Sequence, residues 1–292
     1  MSLAIPNSVE ELQDKLKSVG YIAETGLATS IYLSLKLGKP LLLEGEVGVG
    51  KTQLAKAISQ LYKLELIRLQ CYEGIDANQA ISEWNFPKQL MKIRAFASDG
   101  SQEENFESLY TKDYLQKRPL LQAVEAGARS VLLIDELDRA DDEFEAFLLE
   151  FLSDFQVTIP ELGTIEAKSR PIVIITSNRT RDLHDALKRR CLYNWIGFPK
   201  FDQELIIVHT VYPEVDKLLA EKVVSAVNNL RKMDLNKSPG VAETIDWAQS
   251  LTELEVTELN PETAVLTLGS VIKDRDDMEL VKQNIEIGRA HV

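Results

Sequence analysis

The sequence predicts an α/β fold, a parallel sheet flanked by helices, followed by a smaller all-helical part. Two observations carry this. Three short apolar runs, 40–43, 131–134 and 172–176, are bounded by turn-forming or polar residues and separated by helical patterns, as buried parallel strands are. Beyond residue 199 the glycine-rich and strand signals stop while helical spacing continues. A chain of 292 residues, 45% hydrophobic and 27% charged, has room for one large or two modest domains with a sizeable core.

The elements follow in order. Ser8 is placed to cap a helix, with Glu11 three residues on, and 24–37 carries apolar residues at helical spacing. After the strand at 40–43, residues 53–61 read as a helix with Leu54, Ala57, Ile58 and Leu61 on one face. A strand is expected at 64–69. The stretch 70–89 is polar and aromatic with few helix signals, and 90–119 is charged and leads into a helix at 120–128. Between the strands at 131–134 and 172–176, residues 141–155 place Phe144, Phe147, Leu148, Phe151 and Leu152 on one helical face, and 156–169 alternate around a Pro-Glu-Leu-Gly turn as a hairpin does. A short helix then ends in Lys188, Arg189 and Arg190, basic residues that suit a helix C-terminus, and a strand is expected at 193–198. Helices fill 202–251, broken at Pro213 and at 236–240. The domain boundary falls near 198–202, giving an α/β domain at 1–200 and a helical lid at 201–286. No internal repeat is present.

The junction after the first strand carries the chemistry. Gly45, Gly50, Lys51 and Thr52 satisfy G-x-x-x-x-G-K-[ST], the P-loop pattern, with Gly48 as a further glycine inside it. Backbone N–H groups of such a loop, Gly45, Glu46, Val47, Gly48, Val49, Gly50 and on to Gln53, together with the positive end of the following helix, point at a triphosphate. Lys51 then reaches the β- and γ-phosphates of ATP, and the Thr52 hydroxyl ligates Mg²⁺. The strand 131–134 ends in Asp135-Glu136, a Walker B pattern, in which Asp135 holds Mg²⁺ through water and Glu136 deprotonates the attacking water. Asn178, at the tip of the strand 172–176, either contacts that water or the γ-phosphate or begins an Asx turn.

Composition narrows the partners. The formal charge of −13 repels phosphate backbones and anionic lipid, so nucleic acid is an unpromising partner. Cys71 and Cys191 form no CxxC, and His184, His209 and His291 have no ligand spacing, so no structural metal site is expected and the cysteines read as small buried residues. The start lacks a secretory signal pattern and no apolar run is long enough for a membrane span, which points to a cytoplasmic protein.

With Walker A, Walker B, an Asn strand tip and an Arg-bearing helix in this order, followed by helices, the chain resembles P-loop AAA+ ATPases. The hairpin at 156–169 and the segment 66–89 make it similar to the MoxR branch, and most similar to members found beside carbon monoxide dehydrogenase maturation genes, with 70–118 and 156–169 read as inserts in the α/β domain. The resemblance implies that Asn178 is sensor 1 and that Arg189 or Arg190 is an arginine finger offered to a neighbouring subunit, so that hydrolysis belongs to a homo-oligomeric ring, a hexamer in relatives. It also implies a chaperone-like remodeller working with a von Willebrand A domain protein on a metalloenzyme client. The alternative is a nucleotide-gated scaffold that assembles without productive hydrolysis. One departure stands out: where relatives carry a sensor 2 arginine, this chain reads SPGVAETIDWA, with Arg231 the nearby arginine in sequence. Residues 287–292, IGRAHV, resemble the translation of a sequencing adapter and are set aside as a non-native tail.

Overall fold

The computed structural model of the chain describes residues 4–99 and 109–290. Two helices precede the sheet: α1 (Val9–Ser18), capped by the Ser8 hydroxyl accepting from the Glu11 N–H, and α2 (Thr25–Leu37). Strand β1 (Leu41–Gly45) and helix α3 (Lys51–Tyr62) flank the glycine loop, and β2 (Glu65–Gln70) follows.

The segment expected to lack helix signals holds α4 (Ala77–Ile81), β3 (Ser82–Trp84) and the start of α5 (Phe86–Asp99). The missed signal is a capping box: the Asp76 carboxylate accepts from the Gln79 N–H, and the Gln79 side chain accepts from the Asp76 N–H. Of the charged stretch that follows, residues 100–108 lie outside the described residues. Strand β4 (Leu115–Lys117) pairs antiparallel with β3 as a separate ribbon. Helix α6 (Pro119–Ala126) stops earlier than the expected 128, because Gly127 and the two residues after it tighten into a 3₁₀ turn.

Strand β5 (Ser130–Asp135), helix α7 (Asp142–Asp154), the hairpin β6 (Gln156–Ile159) with β7 (Gly163–Glu166), strand β8 (Ile172–Ser177) and helix α8 (Asp185–Arg190) match the expected order. Strand β9 (Leu192–Ile196) begins one residue before the expected 193 and ends two short of 198. Helices α9 (Phe201–Val211), α10 (Lys217–Leu230), α11 (Val241–Glu253), α12 (Pro261–Val271) and α13 (Arg275–Ala290) complete the chain, so residues 287–290 of the suspected tail continue α13.

The main sheet runs β2-β5-β8-β1-β9, with every neighbouring pair parallel. Alternate residues of each strand enter different cores. Leu41, Leu43, Val131, Leu133 and Ile174 pack with α1, α2 and α3 on one face, while Leu42, Leu132, Ile134, Val173 and Ile175 pack with α6, α7 and α8 on the other. A strand buried on both faces has no room for polar alternation, which is why the runs read as continuously apolar. The C-terminal helices have their own core, in which Trp247, Val223, Val224, Val227 and Leu251 are buried. No helix among the described residues is long and apolar enough to cross a membrane.

Candidate functional site

The C-terminal ends of β1, β5, β8 and β2 meet at one edge of the sheet, where open α/β sheets bind ligands. Gly45 closes β1 with φ +156°, and a Cβ there would lie 1.9 Å from the Ile196 carbonyl oxygen on β9, so the strand pair tolerates only glycine. Gly48, at φ +76°, faces α11: a Cβ would come within 3.1 Å of Gly240 Cα and of Glu243 Oε2. The loop is thus shaped both to wrap an anion and to touch the C-terminal helices, and the Val241 N–H donates to the Gly48 carbonyl at 3.0 Å.

Lys51 opens α3 and is buried, its ammonium donating to the carbonyls of Gly45 at 2.8 Å and Glu46 at 2.6 Å. Burial lowers its pKa below the ordinary lysine value, and the carboxylates of Asp138, Glu46, Asp135 and Glu136 pull it back up.

Asp135, 2% exposed, accepts hydrogen bonds on both carboxylate oxygens. Its Oδ1 accepts from Thr52 Oγ1 at 3.0 Å and from Thr176 Oγ1 at 2.6 Å, and its Oδ2 accepts from Arg68 Nε at 2.9 Å. Glu136 follows in the left-handed region at φ 54°, uncommon for a residue with a Cβ, and its carboxylate accepts from Gln70 Nε2 and from Arg139 Nη1, each at 3.1 Å. Thr176 also accepts from the Glu136 N–H at 2.9 Å, tying β8 to the turn that bends Glu136 away from the strand.

Thr52 and Asp135 place a hydroxyl and a carboxylate side by side, and no cluster of three His, Cys, Asp or Glu suited to a metal occurs among the described residues. That sparse, hard-oxygen set fits Mg²⁺, which keeps its waters and takes one or two protein ligands plus substrate phosphates.

Asn178 stands just past β8. The loop it begins is held by the Asp138 carboxylate, which accepts from the N–H groups of Asn178 at 3.1 Å and Thr180 at 2.9 Å, and by the Ser177 hydroxyl, which accepts from Arg179 N–H at 3.0 Å. The turn therefore does not depend on the Asn178 amide.

Arg189 and Arg190, exposed at the end of α8, do not line the cavity beside the glycine loop of their own chain. Arg190 donates to the Leu149 carbonyl on α7, whereas Arg189 makes no hydrogen bond or ion pair among the described residues. Arg231 is committed elsewhere. Its guanidinium forks onto the fully buried Glu204 at 2.6 and 2.8 Å, donates to the Pro239 carbonyl at 2.8 Å and sits 4.4 Å from the Phe198 ring centroid. It anchors the residue before Gly240 instead of reaching a phosphate.

A cavity of about 860 Å³ opens from Lys51 and Thr52 toward α9 and α11. The thiols of Cys71 and Cys191 are pushed up to about 12, chiefly by burial, which leaves both protonated and unreactive at neutral pH.

Sequence reasoning missed Arg68, Gln70, Thr176 and Asp138, which reach the site across neighbouring strands or loops. The one signal for any of them was a polar Gln70 closing an apolar run.

The family model described as ATPase family associated with various cellular activities (AAA) matches residues 41–198. A protein of Staphylococcus epidermidis described as uncharacterized is 26% identical over 266 residues, covering 86% of this chain and 91% of its own length. An uncharacterized Staphylococcus haemolyticus protein is 24% identical over 261 residues, with 86% and 91% covered. Among solved structures, a point mutant of Thermotoga maritima RuvB superposes with a TM-score of 0.51 at 18% identity over 97% of this chain and 81% of that one, a likeness of fold.

Proposed function

The chain belongs to the AAA family of ATPases, and we propose that it is a Mg²⁺-dependent, ATP-hydrolysing remodeller of MoxR type, cytoplasmic and active as a homo-oligomeric ring. The observation that carries the hydrolytic part is the junction of β1, β5 and β8, where Thr52 donates to Asp135 at 3.0 Å and Glu136 stands next in the chain, turned out of the strand. The loop N–H groups and Lys51 receive the β- and γ-phosphates, Lys51 exchanging its two carbonyl partners for phosphate oxygens. Thr52 and Asp135 would hold Mg²⁺, which neutralises charge on the phosphates. Glu136 takes the proton of the attacking water, with Gln70 and Arg139 aiming its carboxylate, and Asn178 orients that water.

Residues 201–286 act as the lid, joined to the loop through the Gly48–Val241 hydrogen bond. Arg189 is the better finger of the two arginines, since Arg190 already serves the Leu149 carbonyl. The hairpin β6–β7 and the segment 66–89 favour the MoxR reading, with a von Willebrand A domain protein as partner and a metalloenzyme of the carbon monoxide dehydrogenase kind as client.

Steady-state phosphate release against protein concentration, with particle size followed in parallel, tests this. Turnover per subunit should rise as the ring forms and fall by roughly 10³ or more in Arg189→Ala, as loss of a finger does. Tight ATP binding without turnover at any concentration would instead support the nucleotide-gated scaffold. Co-elution with a von Willebrand A domain protein that depends on ATP checks the partner.

A further inference from the structure

The phosphate end of the cavity is accounted for by the glycine loop; the remaining wall belongs to other elements. Tyr21 and Ile22 line it from the segment before α2, Phe198 from the end of the sheet, Ile207 from α9, and Val241 and Ile245 from α11. A nucleotide with its phosphates on Gly48–Thr52 puts its base among these apolar side chains. One face of α9 turns toward the cavity, with Lys200, Gln203, Ile207 and Val211 spaced at helical intervals.

Gln203 is the anomaly on that wall. Its Oε1 is buried and has no hydrogen-bond partner. Only Tyr62 Oη and Glu145 Oε1 share that condition among the described residues, and neither belongs to the cavity wall; Glu145 is in addition ion-paired with Arg181. Of the other two amides lining the cavity, Gln53 is exposed to solvent, and Asn194 is already used, its Oδ1 accepting from Ser30 Oγ and its Nδ2 donating to the Trp195 carbonyl. A buried amide oxygen left unpaired at the wall of a ligand cavity is a group that gains a partner if the amide turns toward a bound ligand.

We propose that Gln203 reads the base of the bound nucleotide, its amide pairing with the exocyclic amine and N7 of adenine and so selecting ATP over GTP. This rests on the reading of the cavity as a nucleoside triphosphate site. The match is chemical: the adenine edge offers a donor at N6 beside an acceptor at N7, and a glutamine amide offers an acceptor beside a donor. Guanine and hypoxanthine present acceptors at both O6 and N7, so either orientation of the amide sets one acceptor against another. The terminal torsion of glutamine is soft, which lets the amide swing from its enclosed position onto the base.

Equilibrium binding of ATP, GTP and ITP to the full chain, wild type and Gln203→Leu, tests the proposal. Wild type should prefer ATP over both GTP and ITP by about 5- to 150-fold, the worth of one bidentate base contact. In Gln203→Leu that preference should collapse, ATP binding more weakly as the bidentate contact is lost and GTP and ITP binding as in wild type or more tightly as the opposed acceptors are removed. Gln203→Met, which keeps the length of the side chain but has no amide, guards against a packing artefact and should lose the preference too. An unchanged ATP to GTP ratio in both variants, with thermal unfolding like wild type, overturns the role of Gln203 and leaves the nucleotide site standing. A wild type that rejects GTP but accepts ITP as well as ATP points to exclusion of the guanine 2-amino group and also overturns it. Failure of the wild type to bind any of the three overturns the nucleotide reading itself, and Gln203 with it.

Discussion

The two walls of the cavity are built by different means. On the phosphate side, consecutive residues of one loop and the ends of adjacent parallel strands supply every group, and Asp135 alone receives hydrogen bonds from Thr52, Thr176 and Arg68. On the helical side, backbone meets the loop: Gly240 packs against Gly48 and the Val47 carbonyl, and the Val241 N–H donates to the Gly48 carbonyl. The first wall is fixed by sheet register and the second by how α9, α10 and α11 are braced, so the two should fail differently.

The largest effect belongs to the phosphate wall. Glu136→Gln should retain ATP binding and lose roughly 10²- to 10⁴-fold in turnover, the range for removing a general base, as read by phosphate release beside a binding titration. Equal loss of binding and turnover would show that Glu136 holds the loop instead.

Next comes the brace of the helical wall. Arg231→Ala strips the partner from Glu204, which is fully buried, and should cost about 3–5 kcal/mol of stability, the range for breaking a buried ion pair. Hydrogen exchange should then rise in α10 and α11 while amides of β1, β5 and β8 keep their protection. Uniform loss of protection would mean that the two walls unfold as one unit.

A smaller effect separates the walls more sharply. Gly240 has φ −81°, a conformation any residue adopts, so Gly240→Ala meets only contact, its Cβ arriving 2.8 Å from Gly48 Cα. The variant should lose about 1–3 kcal/mol of stability, the spread of costs for overpacking, and bind ATP about tenfold more weakly as the helical wall shifts off the loop. Gly45→Ala, which drives a Cβ to 1.9 Å from the Ile196 carbonyl, should lower the unfolding temperature itself.

The smallest expected signal is a fraction of a proton. Burial holds the pKa of Lys51 below 10.5, and a bound polyphosphate favours its charged form. The pKa therefore rises on binding, so in the alkaline range between the free and bound values ATP binding takes up protons, and affinity falls as pH rises through that range. Calorimetry in buffers of different ionisation enthalpy should detect the uptake, and Lys51→Met should abolish it.

The phosphate wall was legible in the sequence because its signals are local. Gly45, Gly50, Lys51 and Thr52 lie within eight residues, and Asp135-Glu136 closes an apolar run, so spacing alone announces both. The strand pattern and the helix faces of α3 and α7 were equally readable, since burial imposes a period on each. Helix α4 escaped because five residues are too few for a period and its capping box was the sole sign. The partners of the acids were invisible for another reason: Arg68 and Gln70 meet Asp135 and Glu136 across 67 and 66 residues of chain, a separation that the β2-β5 pairing closes.

Sequence by itself thus determined the sheet strands, the glycine loop and the two acids, because those depend on residue type and short spacing. Tertiary structure alone decided that Arg231 braces Glu204 instead of reaching a phosphate, that Gly240 rests on Gly48, and that Gln203 lines the cavity while its oxygen is enclosed and unpaired. Each of those is set by how whole elements distant in the chain pack together, and no local pattern encodes which long-range neighbour a side chain meets.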